Sequence, residues 1–128
     1  MDWTPVVLQG AVTLTVTTNE AVFTIQDGWV TGHCALSITA SAGIAGNQIQ
    51  ITATDLPPPT NADAGSDVGT FKYIDASVAS LWWGVCGVGT DGVFALVCSG
   101  GHSLLGVDPS FAAAGADTLK AEFCYRHA

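Results

Sequence analysis

The sequence has very little positive charge. Three of its 128 residues are basic (Lys72, Lys120 and Arg126) against eleven acidic ones, for a formal net charge of −8. Proteins that bind nucleic acid or anionic membranes neutralise phosphates with clusters of basic side chains. We therefore expect no nucleic acid and no membrane surface among the partners.

Charged residues of both signs are scarce as well. They make up 11% of the chain, whereas hydrophobic residues make up 48%. Disordered chains combine high charge with few apolar residues, so we expect a globular protein, and this length suits one domain. Such an apolar chain is expected to cover surface by associating with its own copies or with a larger body.

The chain lacks targeting and membrane-spanning segments. Residues 1–5 have no basic region followed by a continuous apolar stretch, as a secretory signal would. Polar residues interrupt the uncharged span from Trp29 to Thr54 every few positions, unlike a membrane-spanning helix. We expect neither a membrane segment nor secretion by the signal-peptide route.

The cysteines lack metal-site spacing. None belongs to a C-x-x-C pair, and each lies in an apolar, strand-like context that favours a reduced, buried thiol. Cys86 and Cys98 flank a predicted hairpin, so a disulfide between them stays open, as does the redox state of all four cysteines. The four are Cys34, Cys86, Cys98 and Cys124.

Three short patterns resemble chemical sites, and each lacks a required part. Residues 87–92 match G-x-G-x-x-G but precede a strand, where a dinucleotide site needs a helix. Loop 57–67 has acidic residues but no glutamate to complete a calcium site, although ion binding there stays open. Cys98 and His102 have no recognisable orienting group. We expect no cofactor, no metal and no catalytic activity.

A period-two alternation of apolar and polar residues runs through the chain and indicates strands with one buried face. Asp27-Gly28 and Asp91-Gly92 predict hairpin turns, and the first turn pairs Ile25 with Val30 and Phe23 with Gly32. The face predicted to be buried there contains Phe23, Ile25, Val30, Cys34, Leu36 and Ile38. The other predicted strands are 12–17, 48–52, 68–74, 81–86, 93–98 and 118–126. Eight to ten such strands predict an all-β antiparallel sandwich or jelly roll, with loop 57–67 as its longest and most mobile loop.

Trp82 and Trp83 are adjacent on a predicted strand and must point to opposite faces. The one outside the core is covered either by a loop of the same chain or by a neighbouring subunit. We divide the chain into an N-terminal docking segment, residues 1–10, and a single β-sandwich domain, residues 11–128. The candidate interface residues are Trp3, Val6, Val7, Leu8, Trp82, Trp83 and Tyr125.

The order of several short motifs resembles a structural domain of bacteriophage particles, found in head decoration proteins and tail-fibre tips. The motifs are Trp3-Thr4-Pro5, the hairpin from Phe23 to Gly28, the strand leading into Leu56-Pro57, the segment 114–119 and the aromatic end of the last strand, 123–126. The chain departs from the family in three places: Phe23 replaces a usual tyrosine, the turn is Asp-Gly, and three prolines follow Leu56. The resemblance implies a trimeric jelly roll of the tumour-necrosis-factor type, without catalytic residues.

On this resemblance we expect a capsid decoration, or minor capsid, protein. It would assemble in the host cytoplasm, form homotrimers on the virion surface and bridge subunits of the major capsid protein. The short stretch before the first strand leaves no room for a fibre shaft, which favours the capsid. The alternative is the receptor-binding tip of a tail or head fibre, recognising a host-surface glycan or protein through loops 57–67 and 107–116.

Overall fold

The structure is a computed structural model that describes residues 1–40, 42–53 and 55–128. Within these ranges the chain forms strands and turns but no helix, which confirms the predicted all-β class. Ser41 and Thr54, two members of the uncharged span, lie outside the described residues. The strands are β1 (Val6–Gln9), β2 (Val12–Thr13), β3 (Val16–Gln26), β4 (Trp29–Ile38), β5 (Ile49–Thr52), β6 (Asp67–Asp75), β7 (Ser80–Val88), β8 (Val93–Cys98) and β9 (Thr118–Arg126).

The strands form one antiparallel sheet in the order β2-β1-β5-β8-β7-β6-β9-β4-β3, and the sheet curls around its core. The N-terminal segment links its two edges. Trp3 donates its backbone N–H to the Ala21 carbonyl at 3.1 Å, and the Phe23 N–H bonds the Met1 carbonyl at 2.8 Å. Residues 6–9 then continue as β1 beside β5, near the opposite edge. Edge strands expose unpaired backbone groups, so this segment protects β3.

The core lies on the concave face, and aromatic rings fill its centre. Phe123 in β9 pairs with Gly32 in β4 and with Gly69 in β6. A Cβ at Gly32 would lie 2.7 Å from the Phe123 ring, so only glycine leaves room for that ring. Trp3 packs edge-on against Phe123 with ring centroids 5.7 Å apart, and Phe94 lies 6.4 Å from Trp3.

A buried carboxylate fixes the chain just before β9. Asp117 accepts hydrogen bonds from the Tyr73 hydroxyl at 2.6 Å, the Ala76 N–H at 2.9 Å and the Ala114 N–H at 3.0 Å. Burial, together with this bond to the carboxylate, raises the pKa of Tyr73 above its ordinary range. Because a buried polar group is costly unless it is paired, these bonds hold the loop that ends at Asp117 against β6.

The predicted hairpin at Asp27-Gly28 is confirmed with its register. Ile25 pairs with Val30 and Phe23 with Gly32, and the two turn residues have φ values of 53° and 81°. The predicted core-facing residues are buried except Ile25, which is exposed. Ile25 lies on the edge strand β3, and the N-terminal segment covers that edge only as far as Phe23.

The strand predicted over residues 12–17 is wrong in its continuity. It divides into β2 and β3 because Leu14 and Thr15 change partners: the Leu14 N–H bonds the Val7 carbonyl, whereas the Thr15 carbonyl accepts from Thr39. Each bond is 2.9 Å long. The alternation of this segment is compatible with either arrangement, so local pattern alone did not reveal the break.

Loop 57–67 lies along the end of β9, and β6 already begins at Asp67. The Tyr125 hydroxyl donates to the Pro57 carbonyl at 2.7 Å, and the Arg126 N–H donates to the Asp63 carboxylate at 2.7 Å. The Arg126 guanidinium also bonds Asp63, and this contact lowers the pKa of the carboxyl. Its mobility stays a prediction.

Trp3→Ala tests whether the N-terminal segment stabilises the fold. We expect it to lower the free energy of unfolding by about 3–5 kcal/mol, because it removes a buried aromatic side chain and leaves a cavity. Denaturant titration at low protein concentration measures the change. The matched control, Trp83→Ala, removes the same side chain from an exposed position and should cost less than about 1 kcal/mol. Equal losses in the two variants would contradict the role assigned to Trp3.

Candidate functional site

The predicted interface residues fall in three environments. Trp3, Val7 and Tyr125 are buried, Leu8 and Trp82 are half-buried, and Val6 and Trp83 are exposed. The two exposed residues lie in β1 and β7, with β5 and β8 between those strands, so the structure does not gather the set on one surface. Residues 1–10 form part of the folded sheet, and docking by this segment stays a prediction.

The tryptophan pair points to opposite faces, as predicted. Trp82 faces inward, where it stacks on Phe111 with ring centroids 6.4 Å apart and meets the edge of His102 at 5.3 Å. Both neighbours belong to the segment between β8 and β9. Trp83 faces outward with 58% of its surface exposed. A loop of the same chain therefore covers Trp82 and leaves Trp83 open.

Trp83 belongs to a contiguous apolar strip on the outer face. Leu81, Trp83 and Val85 occupy alternate positions of β7, Ile74 lies opposite Leu81, and Val97 lies opposite Val85. We call these five residues the Trp83 strip. Leu81 and Ile74 are 53% and 46% exposed. Single exposed apolar residues are common on proteins, whereas a contiguous patch marks an interaction site.

A hollow accompanies the strip. It has a volume of about 370 Å³, and its wall includes Lys72, Trp83, Val85, Val97 and Ser99. Aliphatic and aromatic side chains form most of this wall, with the lysine at its edge. The outer face thus offers a concave apolar site, which suits a protruding side chain of another protein.

Two of the chain's three basic residues lie beside this hollow. Lys72 pairs across the strands with Trp83 on one side and with Lys120 on the other. The ion pairs among the described residues involve Arg126, His33 and His102, not these lysines. Like charges directly opposite each other on a sheet repel. The strip therefore carries unneutralised positive charge in a chain whose net charge is −8.

The cysteines are free thiols, and three of them are buried. Burial raises the pKa of Cys34 and of Cys86 to about 12 and that of Cys98 to about 11. Cys86 lies opposite Leu96, not opposite Cys98. Cys124 is exposed and accepts a weak hydrogen bond from the Thr31 hydroxyl at 3.4 Å. Thiolates are the reactive form, so the buried thiols are poor nucleophiles.

Two further surveys concern the described part of the chain. Its His, Cys, Asp and Glu side chains form no group of three or more that can hold a metal ion. It also contains no helix with the length and hydrophobicity needed to cross a bilayer. The outer face with the Trp83 strip is therefore the surface that we take as the candidate functional site.

Sequence reasoning identified Trp83 but missed its neighbours. The run Leu81-Trp82-Trp83 is apolar on both faces of a strand, and this was the available signal for an outer apolar surface. The pairing of Lys72 with Lys120 joins strands far apart in the sequence, and no local pattern reveals it.

Comparisons with protein-family models, with curated proteins and with solved structures found no significant match to this chain. The function is therefore inferred from the chain's own surface and from the motifs that carry the phage resemblance.

The burial of three cysteines predicts a selective reaction. At about pH 8 a disulfide-type thiol reagent should modify Cys124 quickly and the other thiols only as the protein unfolds. Absorbance of the released thiol should report one fast equivalent per native chain, and all four cysteines after denaturation. In Cys124→Ser the fast phase should disappear. A second fast equivalent in that variant would contradict the burial of the remaining thiols.

Proposed function

We propose that this chain is a non-catalytic structural subunit of a bacteriophage particle. In this proposal it is a capsid decoration, or minor capsid, protein that forms homotrimers on the virion surface and contacts the major capsid protein. The Trp83 strip is the main observation in its support, because a contiguous apolar surface on a rigid sheet suits a permanent protein contact. The motifs shared with phage structural domains supply the phage context.

The energetics favour a mechanical role. Burying one large apolar side chain completely is worth about 1.5–3 kcal/mol, and the strip offers Ile74, Leu81 and Trp83 together. Their strands are held by pairing on both sides, so little conformational entropy is lost on binding. Repeated over the copies on a shell, such contacts add up to substantial reinforcement.

The charge of the chain suits a position on the outside of the shell. A subunit with a net charge of −8 does not compete for the packaged nucleic acid, because the phosphates repel it. The trimeric jelly-roll arrangement belongs to the same proposal, and the curled antiparallel sheet is its proposed subunit.

The proposal is tested on purified particles of a phage that encodes this chain. We expect many copies per particle, in a fixed ratio to the major capsid protein, as measured by quantitative mass spectrometry and imaging of the particle. A few copies confined to the tail would replace it with the fibre-tip alternative. Absence from the particle would overturn it.

Reinforcement of the shell is a separate expectation. Particles that lack this chain should release their nucleic acid at a lower temperature than complete particles, and adding the purified protein back should restore the difference. Fluorescence of a nucleic-acid dye during heating measures the release. Identical release temperatures with and without the protein would remove the stabilising role.

A further inference from the structure

We propose that the Trp83 strip binds the β3–β4 hairpin tip of a second copy of this chain, in a head-to-tail contact. The tip consists of residues 25–29, which join β3 to β4 through Asp27-Gly28. This proposal rests on the trimer of the proposed function and deepens it by naming the two surfaces that meet.

The tip is a protruding apolar knob. Ile25 and Trp29 are 42% and 44% exposed and point to opposite faces of the hairpin. The Arg126 guanidinium lies 5.7 Å from the centre of the Trp29 ring and is held by Asp63, so one side of the indole is supported from below. Asp27 places a carboxylate at the turn, where it is exposed.

Shape favours the match between tip and strip. The hollow of about 370 Å³ beside Trp83 is near the lower end of the range for small-molecule sites, roughly 300–1,000 Å³. It therefore suits one or two large side chains, such as those of the tip. Aromatic anchors that enter apolar pockets are the typical centre of a protein interface.

Charge favours the match as well. Lys72 and Lys120 lie at the edge of the strip without an ion pair among the described residues. The Asp27 carboxylate at the end of the tip has the opposite sign and the same position relative to its apolar neighbours. Complementary charges around an apolar contact orient the partners and accelerate their association.

The same lysines disfavour the simplest alternative between copies. A two-fold dimer through the strip would bring four lysines, two from each copy, to one interface, and like charges there are unfavourable. A head-to-tail contact instead joins two different surfaces. Each copy then has one strip and one tip to offer, so the contact closes into a ring, with three members in the proposed trimer.

The contact must form between copies. The tip projects beyond the end of the sheet where Trp29 pairs with Arg126. Ile74 and Leu81 lie toward the other end of the sheet, where Ile74 pairs with Thr118. Because the sheet between these ends is fixed by its hydrogen bonds, a tip cannot reach the strip of its own chain.

Charge reversal tests the contact. Light scattering and sedimentation should give a three-chain mass for the wild type, and at least about tenfold weaker association for Asp27→Lys and for Lys72→Asp combined with Lys120→Asp. The triple variant with all three changes should associate again, because its tip is positive and its strip negative. The matched control is Asp91→Lys, the same change at the other Asp-Gly turn, which should leave association unchanged.

Two further variants guard against misfolding. Asp27→Asn removes the charge but keeps a residue type that tolerates positive φ, and Trp83→Ala removes the apolar wall of the hollow. Both should weaken association while circular dichroism and thermal unfolding at low concentration stay native-like.

A monomeric wild type at high concentration, a two-fold dimer, or equal effects of Asp27→Lys and Asp91→Lys would overturn the contact. If the chain is abundant on particles while these variants associate normally, the contact fails and the proposed function stands. If the charge pattern appears for a chain absent from particles, the contact stands and the proposed function fails.

Discussion

Closure of the sheet by the N-terminal segment is the constraint on which the rest of the structure depends. β3 is the last strand of the sheet, and residues 1–3 supply its missing partner. The same residues deliver Trp3 to Phe123, whose ring occupies space that Gly32 leaves free. Backbone pairing and ring packing thus stabilise the same closure, and neither is replaced easily by another part of the chain.

Closure also decides which surface remains for partners. Gln9, at the end of β1, is fully buried and uses its whole amide: it donates to the carbonyls of Asn47 and Phe111 at 3.0 and 2.8 Å and accepts from the Ala113 N–H at 2.9 Å. A fully paired buried amide fixes the groups around it. Phe111 is thereby held over Trp82, so the inner tryptophan is covered from within and the outer face stays uncovered.

The sequence predicted what depends on neighbours along the chain. The Asp27-Gly28 turn, its register and the alternating last strand follow from turn chemistry and from period-two patterning, and the structure confirms them. The division between β2 and β3 and the pairing of Lys72 with Lys120 depend on distant strands. Local pattern could show that Trp82 and Trp83 diverge, but which of them is exposed depends on the placement of Phe111, far along the chain.

The scarcity of positive charge gives the outer face its specificity. Copies with a net charge of −8 repel each other over most of their surface, and this repulsion suppresses random association through apolar side chains. Lys72 and Lys120 make one region of the outer face an exception. An acidic partner surface is tolerated there and disfavoured elsewhere, so two lysines in an acidic chain orient a contact whose stability comes from the apolar strip. The few basic residues thus select the partner, and the apolar side chains beside them hold it.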